Sequence, residues 1–141
     1  MIVEDSKNFR LVFKALLKNQ FRSVIIEEAS SGEEALVKIQ AFLPDIIFMD
    51  GELPDSSGLE ITKTIRAAYG RDVGIIFLTS QDQDSLKKKA LASGADAFFE
   101  KGTSIDDISV TISSLLGIIN RFAGDNRHEN FICHGRAGIS P

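Results

Sequence analysis

The stretch IIFMDGELPDSSGLE, residues 46–60, decides how this chain is read. Four apolar residues, Ile46, Ile47, Phe48 and Met49, run without interruption into one carboxylate, Asp50. A run that is apolar on every side belongs to a strand covered on both faces, as in a parallel sheet. Ending such a strand on an acid is costly unless something nearby wants its charge. Behind Asp50 come Gly51-Glu52-Leu53-Pro54 and a small polar run closing at Gly58, the composition of a sharp turn.

Working outward, short apolar runs of the same kind occupy residues 1–3, 24–26, 75–78 and 97–99. Segments of helical period separate them. Phe9, Val12, Phe13, Leu16 and Leu17 stand at the i, i+3, i+4, i+7, i+8 positions of an amphipathic helix. SSGEEALVKI opens a second helix, with Ser30 or Ser31 set against Glu33 or Glu34 as a capping box. A third helix is predicted over residues 58–68, stopping before Gly70, and a fourth over 82–93, stopping before Gly94. The fifth begins near Thr103 and turns Ile105, Ile108, Ile112, Leu115, Leu116 and Ile119 inward. Strict alternation of strand and helix requires right-handed crossovers and an open, doubly wound α/β sheet. Five such units are too few for an eight-fold barrel. In open sheets of this kind the site lies beyond the carboxyl ends of the strands. There the sequence delivers Glu4 and Asp5, then Asp50, then Thr79 and Ser80, then Glu100 and Lys101.

The bulk properties bound the possibilities. The chain has 141 residues, 43% apolar and 26% charged, which suits one soluble globular domain. A net charge of −4 argues against a general nucleic-acid or anionic-membrane surface. No apolar run approaches the roughly 18 residues of a membrane span, and the start shows no signal peptide, so a cytoplasmic location is expected. A single cysteine, Cys133, excludes an internal disulfide. Residues 1–122 read as the folded domain and 123–141 as a polar, glycine-rich tail. Cys133-His134 and His128 in that tail fall short of the ligand set of a closed metal site.

Bringing Glu4, Asp5 and Asp50 to one edge creates an electrostatic demand. Two carboxylates about 4 Å apart repel by about 4 kcal/mol at an effective dielectric of about 20. Lys101 offsets one of the three; a hard divalent cation with oxygen ligands offsets the others, and Mg²⁺ suits few carboxylates, waters and a phosphate. Thr79 adds a neutral hydroxyl. An acid, a Mg²⁺ site, a lysine and a hydroxyl form a phosphoryl-transfer set. Asp50 is the carboxylate best placed to attack phosphorus, with the others neutralising charge on the transferring oxygens.

Glu4-Asp5, Asp50 with Leu53-Pro54 and Gly58, Thr79, and Lys101 together resemble the receiver domain of two-component response regulators. The resemblance implies a flavodoxin-like (βα)5 sandwich with strand order 2-1-3-4-5. It implies that Asp50 accepts a phosphoryl group from a histidine-kinase phosphohistidine or a phosphotransfer protein. Asp5, Asp50 and the Glu52 backbone carbonyl would bind Mg²⁺ with help from Glu4, while Thr79 and Lys101 would contact phosphoryl oxygens. Phe98, three residues before the lysine, matches the switch aromatic. Its movement would alter the face made by helix 4, strand 5 and helix 5, which addresses a downstream protein or a second copy of the chain. Such a protein catalyses only its own phosphoryl transfer and hydrolysis and is not an enzyme in the usual sense.

Some residues depart from the family pattern. Glu4 stands where an aspartate is usual and Gly102 where a proline is common; without proline a cis bond there costs about 2.5–4 kcal/mol, so a trans peptide is expected. Phe98 lacks the hydroxyl of the frequent tyrosine. Glu52 and Gln81 flank the site and bear on phosphoryl lifetime, and the short first strand reads as a trimmed start. After residue 122 too little chain remains for a helix-turn-helix domain, so direct DNA binding is not expected. The competing readings are a Mg²⁺-dependent phosphohydrolase or nuclease-like enzyme, in which Thr79 and Lys101 have no required role, and a degenerate receiver used only for docking. Asp82, Asp84, Asp106 and Asp107 read as helix N-terminal charges, Asp55 and Ser56 as turn formers, and Lys87-Lys88-Lys89 as a solvated helix face.

Overall fold

The computed structural model describes residues 1–80 and 84–123. Gln81, Asp82 and the tail residues His128, Cys133 and His134 lie outside them. In chain order the strands are β1 (Ile2–Val3), β2 (Glu28–Ala29), β3 (Ile46–Asp50), β4 (Gly74–Thr79) and β5 (Ala97–Glu100). The helices are α1 (Lys7–Gln20), α2 (Gly32–Phe42), α3 (Gly58–Tyr69), α4 (Asp84–Ala92) and α5 (Ile105–Ala123). The strands form one parallel sheet of order β2-β1-β3-β4-β5, the expected doubly wound arrangement. The order reverses between β1 and β3, which opens a crevice at their carboxyl ends.

Alternation along the strands divides the core. Ile47 and Met49 of β3 join Ile75 and Phe77 of β4 under Ile39 of α2, Ile65 of α3 and Ala90 of α4. Ile46 and Phe48 point the other way, with Ile76 and Leu78, against Phe13 and Leu17 of α1 and Ile108, Ile112 and Leu116 of α5. Burying a side chain of this size is worth about 1.5–3 kcal/mol, so β3 and β4, buried along their whole length, anchor the sheet.

The second strand lies later than its apolar run predicts. With Ile2 opposite Glu28 and Val3 opposite Ala29, residues 24–26 fall beyond the end of the β1 ladder, and Ile25 is exposed. β5 is only half-buried, because an edge strand packs on fewer neighbours. The α1 stripe is narrower than its period suggests: Phe13 and Leu17 are buried, whereas Val12 is 59% and Leu16 41% exposed. α2 is capped by Ser31, which accepts the Glu34 amide at 3.1 Å, while Glu34 reaches back to the Ser30 amide. The helix stops at Gly70 and Gly94 both use positive φ, +58° and +113°. Asp84 begins α4, Asp106 and Asp107 lie in the first turn of α5, and Lys87, Lys88 and Lys89 are exposed.

Candidate functional site

The carboxyl ends of β1, β3, β4 and β5 converge on one cavity of about 330 Å³. Beyond β1, Glu4 is 2% exposed and Asp5 is turned to solvent. The Glu4 carboxylate accepts the Ser6 amide at 2.9 Å, and its backbone carbonyl accepts Arg10 Nη1 at 2.6 Å. Arg10 is itself held by Glu28 of β2 at 3.2 Å. Glu4 is therefore fixed at both its side chain and its main chain.

Asp50 ends β3, buried like the rest of the strand. The turn after it folds tightly: the Gly58 amide donates to the Gly51 carbonyl at 3.0 Å and that of Leu53 to Ser56 at 3.2 Å. A Cβ at Gly58 would lie 2.0 Å from the Asp50 carbonyl oxygen, so only glycine lets α3 start this close to the strand end. The Glu52 amide hydrogen-bonds back to the Asp50 carboxylate. Asp55, expected as a turn former, does more than that: its two oxygens accept the amides of Gly32 and Glu33, each at 2.9 Å. It thus caps the start of α2 from across the turn, and those amides hold its pKa below the ordinary value.

Thr79 closes β4 with 2% exposure and lines the cavity beside Asp50. Its carbonyl accepts the Lys101 amide at 2.8 Å, which pins the lysine's backbone to the same edge. The Lys101 ammonium contacts the Glu4 carboxylate closely and stands 3.4 Å from Asp50 Oδ1. It also lies 4.8 Å from the centroid of the Phe9 ring. The peptide to Gly102 is trans, as the missing proline predicts, with φ +98° at the glycine.

These charges perturb one another. Burial, then the Glu4 charge, push the Asp50 pKa up to about 6 against the opposing pull of Lys101. Burial draws Lys101 down, but its contacts with Glu4 and Asp50 outweigh this and raise its pKa. Carboxylate oxygens of Glu4, Asp5 and Asp50 lie within 4.8 Å of one another. Hard oxygen donors with one ammonium against three acids fit a small divalent cation.

The structure brings together Glu4, Asp5, Asp50, Glu52, Thr79 and Lys101 around this cavity. Phe98 sits one layer away, half-buried and stacked on Phe77 at 5.9 Å and 12°. Sequence reasoning passed over Phe9, read as a core position of α1, and Arg10. The only signal for either was its place one turn after Asp5 on a helix that starts at the site.

Comparison with known proteins agrees with this geometry. Residues 1–113 match the response regulator receiver domain family. The chain is 31% identical over 118 residues to the chemotaxis protein CheY of Halobacterium salinarum, covering 81% of this chain and 96% of that one. It is 33% identical over 104 residues to the transcriptional activator protein ExaE of Pseudomonas putida, covering 74% of this chain but 48% of ExaE. The chain thus spans nearly all of one relative and about half of the other. A crystal structure of a two-component response regulator from Clostridium difficile superposes with a TM-score of 0.77 at 26% identity, covering 84% of this chain and 95% of that one. The chain belongs to the response regulator receiver domain family of two-component, phosphorylation-dependent signalling.

Proposed function

We propose that Asp50 is the phosphoacceptor of a Mg²⁺-dependent signalling switch. Its donor is the phosphohistidine of a histidine kinase or phosphotransfer protein. An Asp50 carboxylate oxygen attacks phosphorus, the P–N bond breaks, and its electron pair leaves with the imidazole nitrogen, so that an aspartyl phosphate forms. A pKa of about 6 leaves most of Asp50 ionised near neutral pH, so the nucleophile needs no separate base. Glu4, Asp5, Asp50 and the Glu52 backbone carbonyl would hold Mg²⁺, which when bound supplies charge neutralisation to the transferring phosphoryl oxygens. Lys101 leaves its position at Asp50 Oδ1 to follow a phosphoryl oxygen, and the Thr79 hydroxyl donates to another. The observation that carries this reading is the Lys101 ammonium shared between Glu4 and Asp50 in a cavity that also holds Thr79.

Movement of Thr79 toward the phosphoryl group would draw Phe98 further in along Phe77, changing the face of α4, β5 and α5 that addresses a downstream protein or a second copy of the chain. Residues 1–122 act as the receiver unit, at work in the cytoplasm; among the described residues no helix is long and apolar enough to cross a membrane. The test is intact mass after incubation with a small-molecule phosphodonor, with and without Mg²⁺, on wild type and Asp50→Asn. Wild type should gain one acid-labile phosphoryl group only with Mg²⁺, and Asp50→Asn none. A gain independent of Asp50, or steady turnover of a phosphomonoester, would replace the switch by another site or by a hydrolase.

A further inference from the structure

Lys101 has a third neighbour that carries no charge. The face of Phe9, on the first turns of α1, lies 4.8 Å from its ammonium, within the range at which a ring quadrupole attracts a cation. The ring is itself held. It stacks on Phe13 at 5.5 Å and 17°, and Phe13 meets Phe48 edge-on at 4.9 Å and 80°. Phe48 lies two residues before Asp50 on β3. A column of three rings therefore ties the position of the Phe9 face to the strand that carries the acid.

The two carboxylates beside Lys101 are unequal. Glu4 makes the closer contact and is anchored by Ser6 and Arg10, while Asp50 stands at 3.4 Å. A ring face attracts the ammonium from a third direction without neutralising it and without accepting a hydrogen bond that the phosphoryl group must later displace. We propose that Phe9 is a positioning residue for phosphoryl transfer, its ring face holding the Lys101 ammonium within reach of Asp50. This inference rests on the reading of Asp50 as phosphoacceptor.

The test replaces Phe9 in the full chain by mono-, di- and trifluorinated phenylalanine, which keep the ring's shape while weakening its quadrupole. The rate of phosphoryl uptake on Asp50 from acetyl phosphate with Mg²⁺ is then followed. The maximal rate should fall with each fluorine, by about two- to fivefold over the series, with the half-saturating donor concentration unchanged. Phe9→Leu should show the full loss and Phe9→Trp should restore the rate. On the unmodified protein, the Lys101 ε-methylene protons should resonate upfield from ring current, a readout that stands even if Phe9→Leu does not fold. A rate indifferent to fluorination, or Lys101 ε-protons at ordinary shifts, overturns the role of Phe9. If the wild type itself takes up no phosphoryl group on Asp50, it is the phosphoacceptor reading that fails instead.

Discussion

At the amino-terminal edge of the sheet, Asp96 is held by Arg66 at 2.8 Å, by Arg71 at 3.2 Å and by the Ile75 amide at 2.9 Å. Arg66 spends its remaining donors on the carbonyls of Gly70, Val73 and Gly94, at 2.6 to 2.9 Å. At the carboxyl edge, one ammonium faces Glu4 and Asp50, with Asp5 beside them. Both places combine acids, bases and strand ends. In the first, Arg66 spends every one of its donors on an acceptor, and the result is a strut joining α3 to the start of β5 and the loop before it. In the second, the Glu4, Asp5 and Asp50 carboxylates gather around the Lys101 ammonium with Glu52 lining the same cavity, so that acids outnumber bases among the described residues there. A network whose buried donors are spent has no open position for a ligand, whereas carboxylates clustered beside a cavity attract a cation, and the cation in turn a phosphoryl group.

That contrast breaks if both ends respond alike to mutation. The largest effect expected is on Asp50→Asn, which should abolish phosphoryl uptake in the intact-mass assay while leaving the circular dichroism spectrum unchanged. Arg66→Met should do the converse. It removes the ion pair with Asp96 and strands three carbonyls, costing about 3 kcal/mol of stability in urea denaturation. The phosphoryl uptake rate of the folded protein should stay within about twofold of wild type, since a strut on the opposite edge supplies no charge to the transfer. If Arg66→Met slowed phosphorylation as severely as it destabilised, the two ends would be one coupled system.

A smaller effect sharpens the comparison by its sign. Asp50 has its pKa raised from 3.8 to about 6, so its ionisation opposes folding. The stability it contributes is fully present below about pH 4 and is lost as pH rises through 6. Asp50→Asn should therefore be more stable than wild type above pH 6 without divalent cation. A shift of about two units corresponds to about 3 kcal/mol, and screening by the open cavity reduces the expectation to about 1–2 kcal/mol. Guanidinium melts at pH 4, 5, 6 and 7 should show the gap opening across that interval, and Mg²⁺ should narrow it by binding wild type more tightly than the variant. A variant no more stable than wild type at pH 7 would mean that Asp50 is not held in an electrostatically unfavourable position.

Much of this edge was legible because parallel strands deliver their carboxyl ends to one side, so Glu4, Asp50, Thr79 and Lys101 could be gathered from the apolar run before each. The strands themselves were legible where burial is two-sided, as in β3 and β4. They were less so at the sheet margin: residues 24–26 have strand composition, but their ladder partner ends at β1, and pairing falls to Glu28–Ala29. Side chains whose role depends on distant partners were invisible. Arg10 reaches Glu28 across 18 residues and Asp55 reaches Gly32 across 23, and no local pattern of spacing announces either contact. Phe9 fits a core stripe so well that its period concealed its second contact with Lys101.

Asp55 supplies the finest test, because it lies five residues from Asp50 and is perturbed in the opposite direction. The backbone amides of Glu33 and Gly32 lower its pKa, so its contribution to stability is present above the ordinary carboxylate pKa of about 4 and lost as pH falls through the lowered value. Asp55→Ala removes the acceptor from two amides at the start of α2, where the helix dipole also favours a negative charge. Solvent reaches the carboxylate freely, and Ser31 still caps the Glu34 amide at 3.1 Å, so the drop in Tm should be small and phosphoryl uptake unchanged. The drop should shrink on acidification, as the Asp50→Asn gain also does, but the two effects carry opposite signs. Thermal melts of the two variants side by side from pH 3 to 7 should give curves of opposite slope. Parallel slopes would mean that both carboxylates of this turn serve the same end, and the division between a capping acid and a reactive one would fall.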